Sequence, residues 1–147
     1  MPDLIQLVYV SRSTYVPTSA SNIINPHIAE ILSRARSFNK KNGLFGVLYF
    51  GDNYYLQCLE GESATVLALY SKLMKDPRHQ DLVIISNQAI DSISFSQWNM
   101  KHVPLVPQLK QLLLSHGYEN FEPHYFNEEL TQRVLVLLYN ASGTEHN

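Results

Sequence analysis

Amides and phenols carry the chemistry that this chain could do. Gln57 lies in Tyr54-Tyr55-Leu56-Gln57-Cys58-Leu59-Glu60-Gly61, a stretch whose residue types predict a strand. Alternation sends Leu56 and Cys58 to one face and Tyr55, Gln57 and Leu59 to the other. Gln57 therefore sits among large apolar neighbours, where its two N–H donors and its carbonyl still need partners. Backbone groups would satisfy a core glutamine; a polar ligand is the alternative. A second amide, Asn39, falls at i+11 on a helical stripe begun by Ile28, Leu32 and Ala35. It is either a capping amide at a frayed helix end or another group turned toward a ligand. Tyr9, Trp98 and Met100 complete the set. A phenol beside amides is poor equipment for hydrolysis. It suits reading and rewiring hydrogen bonds to a planar heteroaromatic ligand, and a tyrosine can also give up an electron and a proton.

Other chemistries find little support. The chain has no GxGxxG, P-loop, GxSxG or HExxH pattern. Its six histidines are scattered and lack the spacing with cysteine or carboxylates that a metal site needs. The acidic residues fall mostly at turns and helix ends, where they read as solvated. Eleven basic and thirteen acidic residues leave a net charge of −2, so direct nucleic-acid binding is not expected. The single cysteine, Cys58, excludes an internal disulfide and reads as a packed, inert thiol. No signal-like N-terminus and no membrane-spanning run is evident, which makes a cytoplasmic protein the expectation. Asp76-Pro77-Arg78-His79 places two basic groups after a helix, either meeting its dipole or holding an anion.

The elements that must position these groups follow in order. Ile5 to Val10 predicts strand 1, with Leu7, Tyr9 and Ser11 on one face. A loop from Ser13 to Ile24 leads to Asn25-Pro26, a good N-cap and first turn for a helix that runs to about Lys41 and stops at Asn42-Gly43. Leu44 to Phe50 is strand 2. Gly51-Asp52-Asn53 turns it back into strand 3, Tyr54 to Glu60, which Gly61 should break. Helix 2 spans about Ser63 to Lys75, and Leu82 to Ala89 is strand 4. Phe95 and Trp98 to Val103 read as a last strand with Trp98, Met100 and His102 on one face. The order is that of an α+β, ferredoxin-like βαββαββ sandwich. In it strands 1 and 3 are central neighbours, so Tyr9 and Gln57 can meet on the face under helices 1 and 2. Two further helices, Pro107 to His116 and Asn127 to Ala141, should cover the bare side of the sheet. The expected organisation is residues 1–103, a helical cap at 104–141 and a loose tail at 142–147.

These pieces resemble the BLUF family of flavin-binding blue-light sensors, in particular its short stand-alone forms. The resemblance rests on Leu7-Val8-Tyr9-Val10-Ser11, Asn39-Lys40-Lys41-Asn42-Gly43-Leu44-Phe45-Gly46, Leu56-Gln57-Cys58-Leu59-Glu60-Gly61, Lys75-Asp76-Pro77-Arg78-His79 and Phe95-x-x-Trp98-x-Met100. They occur in the family's order over about residues 4 to 103. The resemblance implies FAD as cofactor, with FMN or riboflavin as alternatives, held between helices 1 and 2. It makes Tyr9 the photochemical electron and proton donor and Gln57 the amide bonded to both that phenol and the flavin. Asn39 would bind the polar edge of the ring, with Ile31 and Leu32 beside it. Trp98 and Met100 would report the rearrangement, and Arg78 and His79 would lie near the ribityl-phosphate tail. Gln57 would exchange its donor and acceptor sides by rotation or tautomerisation. Phe45 and Phe38 depart from the family pattern at positions expected near the ring.

The resulting expectation is a non-enzymatic photoreceptor. Its red-shifted state would pass through the last strand and C-terminal helices to a partner protein, such as a transcriptional regulator, or to a second copy. A small flavin-dependent redox enzyme is the alternative, although no nicotinamide site or acid/base pair is recognisable. A hydrolase using Arg12 and Asn22, and a domain that has lost flavin, complete the range.

Overall fold

The computed structural model describes residues 3–14, 26–104 and 106–141. Their elements are β1 (Leu4–Ser13), α1 (Pro26–Asn42), β2 (Phe45–Gly51), β3 (Tyr54–Glu62), α2 (Ser63–Leu73), β4 (His79–Ile90), β5 (Lys101–Val103), α3 (Pro107–Ser115) and α4 (Glu128–Asn140). Local chemistry sets several boundaries. Gly43, at φ +68°, leaves α1 through the left-handed region that glycine enters without steric cost. Asp52 and Asn53 both have positive φ, the geometry of a two-residue hairpin turn. Asn127 caps α4 by accepting from the Leu130 N–H. The Asn25 cap, most of the loop after β1 and the tail at 142–147 lie outside the described residues.

The five strands lie in the order β4-β1-β3-β2-β5. β1 runs antiparallel to both β3 and β4, and β5 adds in parallel beside β2. This is the expected ferredoxin-like sheet with one further edge strand. Its central pair puts Tyr9 directly opposite Gln57.

Two cores result from the alternation along β1 and β3. Leu7, Tyr9, Tyr55 and Leu59 face α1 and α2, where they pack with Ile31, Leu32 and Val66. Val8, Val10, Leu56 and Cys58 face the opposite way, against Leu109 and Leu113 of α3 and Leu130, Val134 and Leu138 of α4. The C-terminal helices thus cover the second face of the sheet. Phe121 and Phe126 add to that core from the α3–α4 connection, for which the sequence predicts no element. A 3-10 turn at Pro123–Tyr125 shapes this connection, and the Phe121 N–H binds Asp52 Oδ2 at 2.8 Å.

Three expectations are corrected. β3 continues through Gly61, which pairs with Ile5; a Cβ there would lie 2.4 Å from Leu44 Cδ2, so that side chain would have to move. β4 starts earlier than predicted, at His79. β5 is three residues long, and Trp98 and Met100 precede it in a bent segment. The two side chains consequently part: Met100 joins the core under α1 and α2, whereas Trp98 packs against the other.

Gly46 is the tightest crossing of strands β2 and β3. A Cβ there would sit 1.9 Å from the Cys58 carbonyl oxygen, which is backbone and cannot swing aside. Gly46→Ala should therefore destabilise the fold by about 1–3 kcal/mol or more, measured by thermal unfolding. An unchanged midpoint would contradict this packing.

Candidate functional site

Between α1, α2 and the sheet lies a cleft of about 630 Å³, within the usual size range of cofactor sites. Ile31, Leu59, Leu69 and Met100 give it apolar walls, and Tyr9, Asn39 and Gln57 supply polar groups. At its base the Tyr9 hydroxyl donates to Gln57 Oε1 at 2.7 Å. Both residues are almost wholly buried. Burial, with the nearby Cys58, Tyr70 and Asp76, pushes the Tyr9 phenol well above its ordinary pKa. The phenol therefore keeps its proton at any working pH. With its carbonyl committed to Tyr9, Gln57 has its Nε2 left as the group it can offer to the cleft.

Asn39 occupies the last turn of α1 and is fully buried. Its Nδ2 donates to the Asn99 carbonyl at 2.8 Å, tying α1 to the segment before β5. It does not cap its own helix; the amide of Asn42 does that, donating to the Phe38 carbonyl. Asn39 Oδ1 has no protein partner. An unpaired buried acceptor costs about 1–3 kcal/mol, which a ligand N–H would recover. Asn39 Oδ1 and Gln57 Nε2 thus offer an acceptor and a donor between apolar walls, as a ring bearing an N–H and a carbonyl on one edge requires.

The other end of the cleft is charged. Arg34, Lys72, Lys75 and Arg78 line it, together with Glu30 and Asp76. Asp76 accepts from Arg78 Nε at 2.8 Å and also from Arg78 Nη2 and the Arg78 N–H. That guanidinium holds the Asp76 carboxyl down at a pKa of about 2. His79 is bound through Nδ1 to Ser11 Oγ at 2.8 Å, and its buried Nε2 has no partner. Burial lowers its pKa to about 4, with Asp76 opposing and Arg78 and His27 reinforcing the shift. His79 is therefore a neutral imidazole near pH 7.

The cleft brings together Tyr9, Ile31, Asn39, Gln57, Arg78, His79 and Met100. Leu32 packs in the helix–sheet core beside it. Trp98 is on the far side of the sheet, in edge-to-face contact with Tyr139. Of the two departures from the family pattern, Phe38 lines the cleft, but Phe45 packs in the opposite core. Cys58 is buried, and burial with Glu60 raises its thiol well above the usual range. Arg12 pairs with Asp81 at 2.8 Å, while Asn22 lies outside the described residues.

Sequence reasoning missed two buried ions. Glu60 is fully buried and accepts from Gln6 Nε2 at 3.0 Å and from the Ser94 and Phe95 N–H groups at 2.8 Å. Lys101 is 2% exposed. The strand alternation that placed Leu56 and Cys58 also places Glu60 on their face, so its burial was readable.

A protein-family model described as "Sensors of blue-light using FAD" matches residues 4–101. The chain belongs to this BLUF family, and is thus a blue-light photoreceptor whose chromophore is FAD. Among solved structures it is similar to BlsA in its photo-activated state, with 33% identity and a TM-score of 0.85 over 97% of this chain and 99% of that one. The BlsA ground state matches at 33% and 0.86, over 97% of this chain and 91% of that one. Among curated proteins it is 28% identical over 117 residues to the photoactivated adenylate cyclase subunit beta of Euglena longa. That match takes in 76% of this chain and 13% of the relative's length. The blue light- and temperature-regulated antirepressor BluF of Escherichia coli (strain K12) is 34% identical over 56 residues, 38% of this chain and 14% of BluF.

The neutral His79 gives the fold a pH dependence. Between its ordinary value of 6.5 and its folded value of about 4, the unfolded chain binds the proton and the folded chain does not. Stability should therefore fall as pH drops through that window, by up to about 3 kcal/mol. Asp76, lowered from 3.8 to about 2, should add its own loss only below that. Denaturant unfolding across this range should show His79→Gln flattening the upper part of the profile alone. A wild-type stability independent of pH between 6.5 and 4 would contradict the assignment.

Proposed function

We propose that this photoreceptor signals by reversing the Gln57 amide, with Tyr9 as electron and proton donor. The observation that carries the reading is the 2.7 Å bond between two buried side chains placed opposite each other on β1 and β3. FAD, when bound, would supply the blue absorption and an excited state that accepts an electron. Asn39 and Gln57 would hold the polar edge of its ring, and Ile31 and Met100 its apolar surface. Arg78 and the neighbouring lysines would serve its phosphates, with His79 Nε2 a further polar contact.

The protein's part is a matter of proton positions. A phenol that loses an electron becomes strongly acidic, and the Tyr9 hydroxyl already points its proton at Gln57 Oε1. Once the electron and the proton it gave up have returned to it, the phenol oxygen can accept as readily as its hydrogen can donate. Gln57 can then settle with Nε2 toward Tyr9 and its oxygen toward the cleft. Both arrangements keep the buried pair hydrogen-bonded, so neither leaves an unmet polar group on the protein side. They differ in the hydrogen bonds that Gln57 offers the ligand. Met100 lines the same cleft and precedes β5, so a rearrangement of Gln57 has a neighbour through which to act.

In this reading the chain is a sensor rather than an enzyme, works in the cytoplasm and hands its state to a partner protein. The antirepressor name of BluF favours a transcriptional regulator as that partner, without direct DNA contact by this chain. Among the described residues no helix is long and apolar enough to cross a membrane.

Tyr9→Phe removes the hydroxyl and keeps the ring. The variant should retain bound FAD and lose the reversible light-induced absorption shift, recorded by dark and illuminated spectra. A normal shift in that variant would remove Tyr9 from the mechanism.

A further inference from the structure

Residues 98–101 bend into the sheet edge and divide their side chains between its two sides. The Trp98 side chain joins the helical side and the Met100 side chain lines the cleft. Two α1 side chains grip the backbone between them: Asn39 binds the Asn99 carbonyl at 2.8 Å and Arg36 Nε the Met100 carbonyl at 3.1 Å. The next residue, Lys101, opens β5 and belongs to the helical side.

Lys101 is 2% exposed, and no carboxylate pairs with it among the described residues. Its Nζ donates instead to the Leu138 carbonyl at 3.0 Å and the Tyr139 carbonyl at 2.9 Å. These are carbonyls of the last turn of α4, which have no partner within the helix. A cation there also meets the negative end of the helix dipole. The same ammonium lies 4.2 Å from the centre of the Trp98 ring. Trp98 in turn contacts Tyr139 at 5.7 Å and Phe95 at 6.3 Å between ring centres. Burying an ammonium is costly unless it is well bound, and Lys101 spends its donors on a helix end and its charge on an aromatic face.

We infer that Lys101 is the positioning residue that couples the cleft to α4: a shift of Met100 must move Lys101, and Lys101 carries the C-terminal turn of α4 with it. The inference rests on the photoreceptor reading above. Light should then alter the protection of the last-turn amides of α4, not only the flavin absorption. Val136 and Tyr139, both exposed, stand on that part of the helix, so the change would reach the surface.

The test uses the full chain with FAD bound. Hydrogen exchange of the 135–141 amides is compared in darkness and under blue light, for the wild type, Lys101→Met and Lys101→Arg. The absorption shift and dark-state unfolding midpoint are recorded for each. Methionine keeps much of the length and loses the charge and donors; arginine keeps both. The wild type should show a light-dependent change in exchange of about threefold or more. Lys101→Met should lose it while keeping the absorption shift, and Lys101→Arg should restore it, which a residue that only fills space would not do. A persistent α4 response in Lys101→Met, or a wild type that shifts its absorption without changing α4, would overturn the coupling role. A wild type with no absorption shift would instead overturn the photoreceptor reading on which it rests.

Discussion

The structure depends on the direct pairing of Tyr9 with Gln57 across the two central strands. Hydrogen-bond register fixes this pairing, and a slip of one residue would turn every side chain of one strand to the opposite face. The two-core arrangement resists such a slip, because Val8, Val10, Leu56 and Cys58 are committed to the α3–α4 side. Packing thus holds a buried phenol and amide at 2.7 Å at the base of the cleft. Burial also keeps the phenol protonated. In the mechanism proposed above, what changes is the sense of that one hydrogen bond.

Much of this was legible in the sequence because it depends on alternation and topology. The period of two along β3 put Gln57 under the helices, and the βαββαβ order put Tyr9 beside it. Asn39 stood out as polar on an apolar stripe, and the structure finds its Oδ1 buried and unpaired. The error over Trp98 has a physical cause. The sequence predicts an extended chain from Trp98 onward, but the chain is extended only from Lys101. Before that it bends, held by Glu60 on the Ser94 and Phe95 N–H groups and by Asn39 on the Asn99 carbonyl. Long-range contacts of that kind leave no local periodicity. Phe45 differs from its expected place for another reason: it follows α1, whose Phe38 and Asn39 line the cleft, but its own parity on β2 sends it to the other core.

Buried charge was the least readable feature. Glu60 is held by Gln6 and two backbone N–H groups, Lys101 by two backbone carbonyls, and Asp76 by Arg78 two positions away. Composition treats such residues as surface. Their placement is informative once seen: Glu60 anchors the segment leading to Trp98, Asp76 fixes the guanidinium at the mouth of the cleft, and Lys101 closes the end of α4. Each stands at a junction between the cleft and something that could carry or anchor its state.

The central claim is that the cleft holds a reversible hydrogen-bond switch around FAD. The most direct test is the absorption spectrum of the purified protein, reconstituted with FAD, in darkness, under blue light and after return to darkness. The account predicts a flavin spectrum that moves slightly to the red in light and returns completely in the dark. A spectrum that bleaches without a red-shifted form would mean net redox chemistry and contradict the switch, and so would a protein that binds FAD but ignores light.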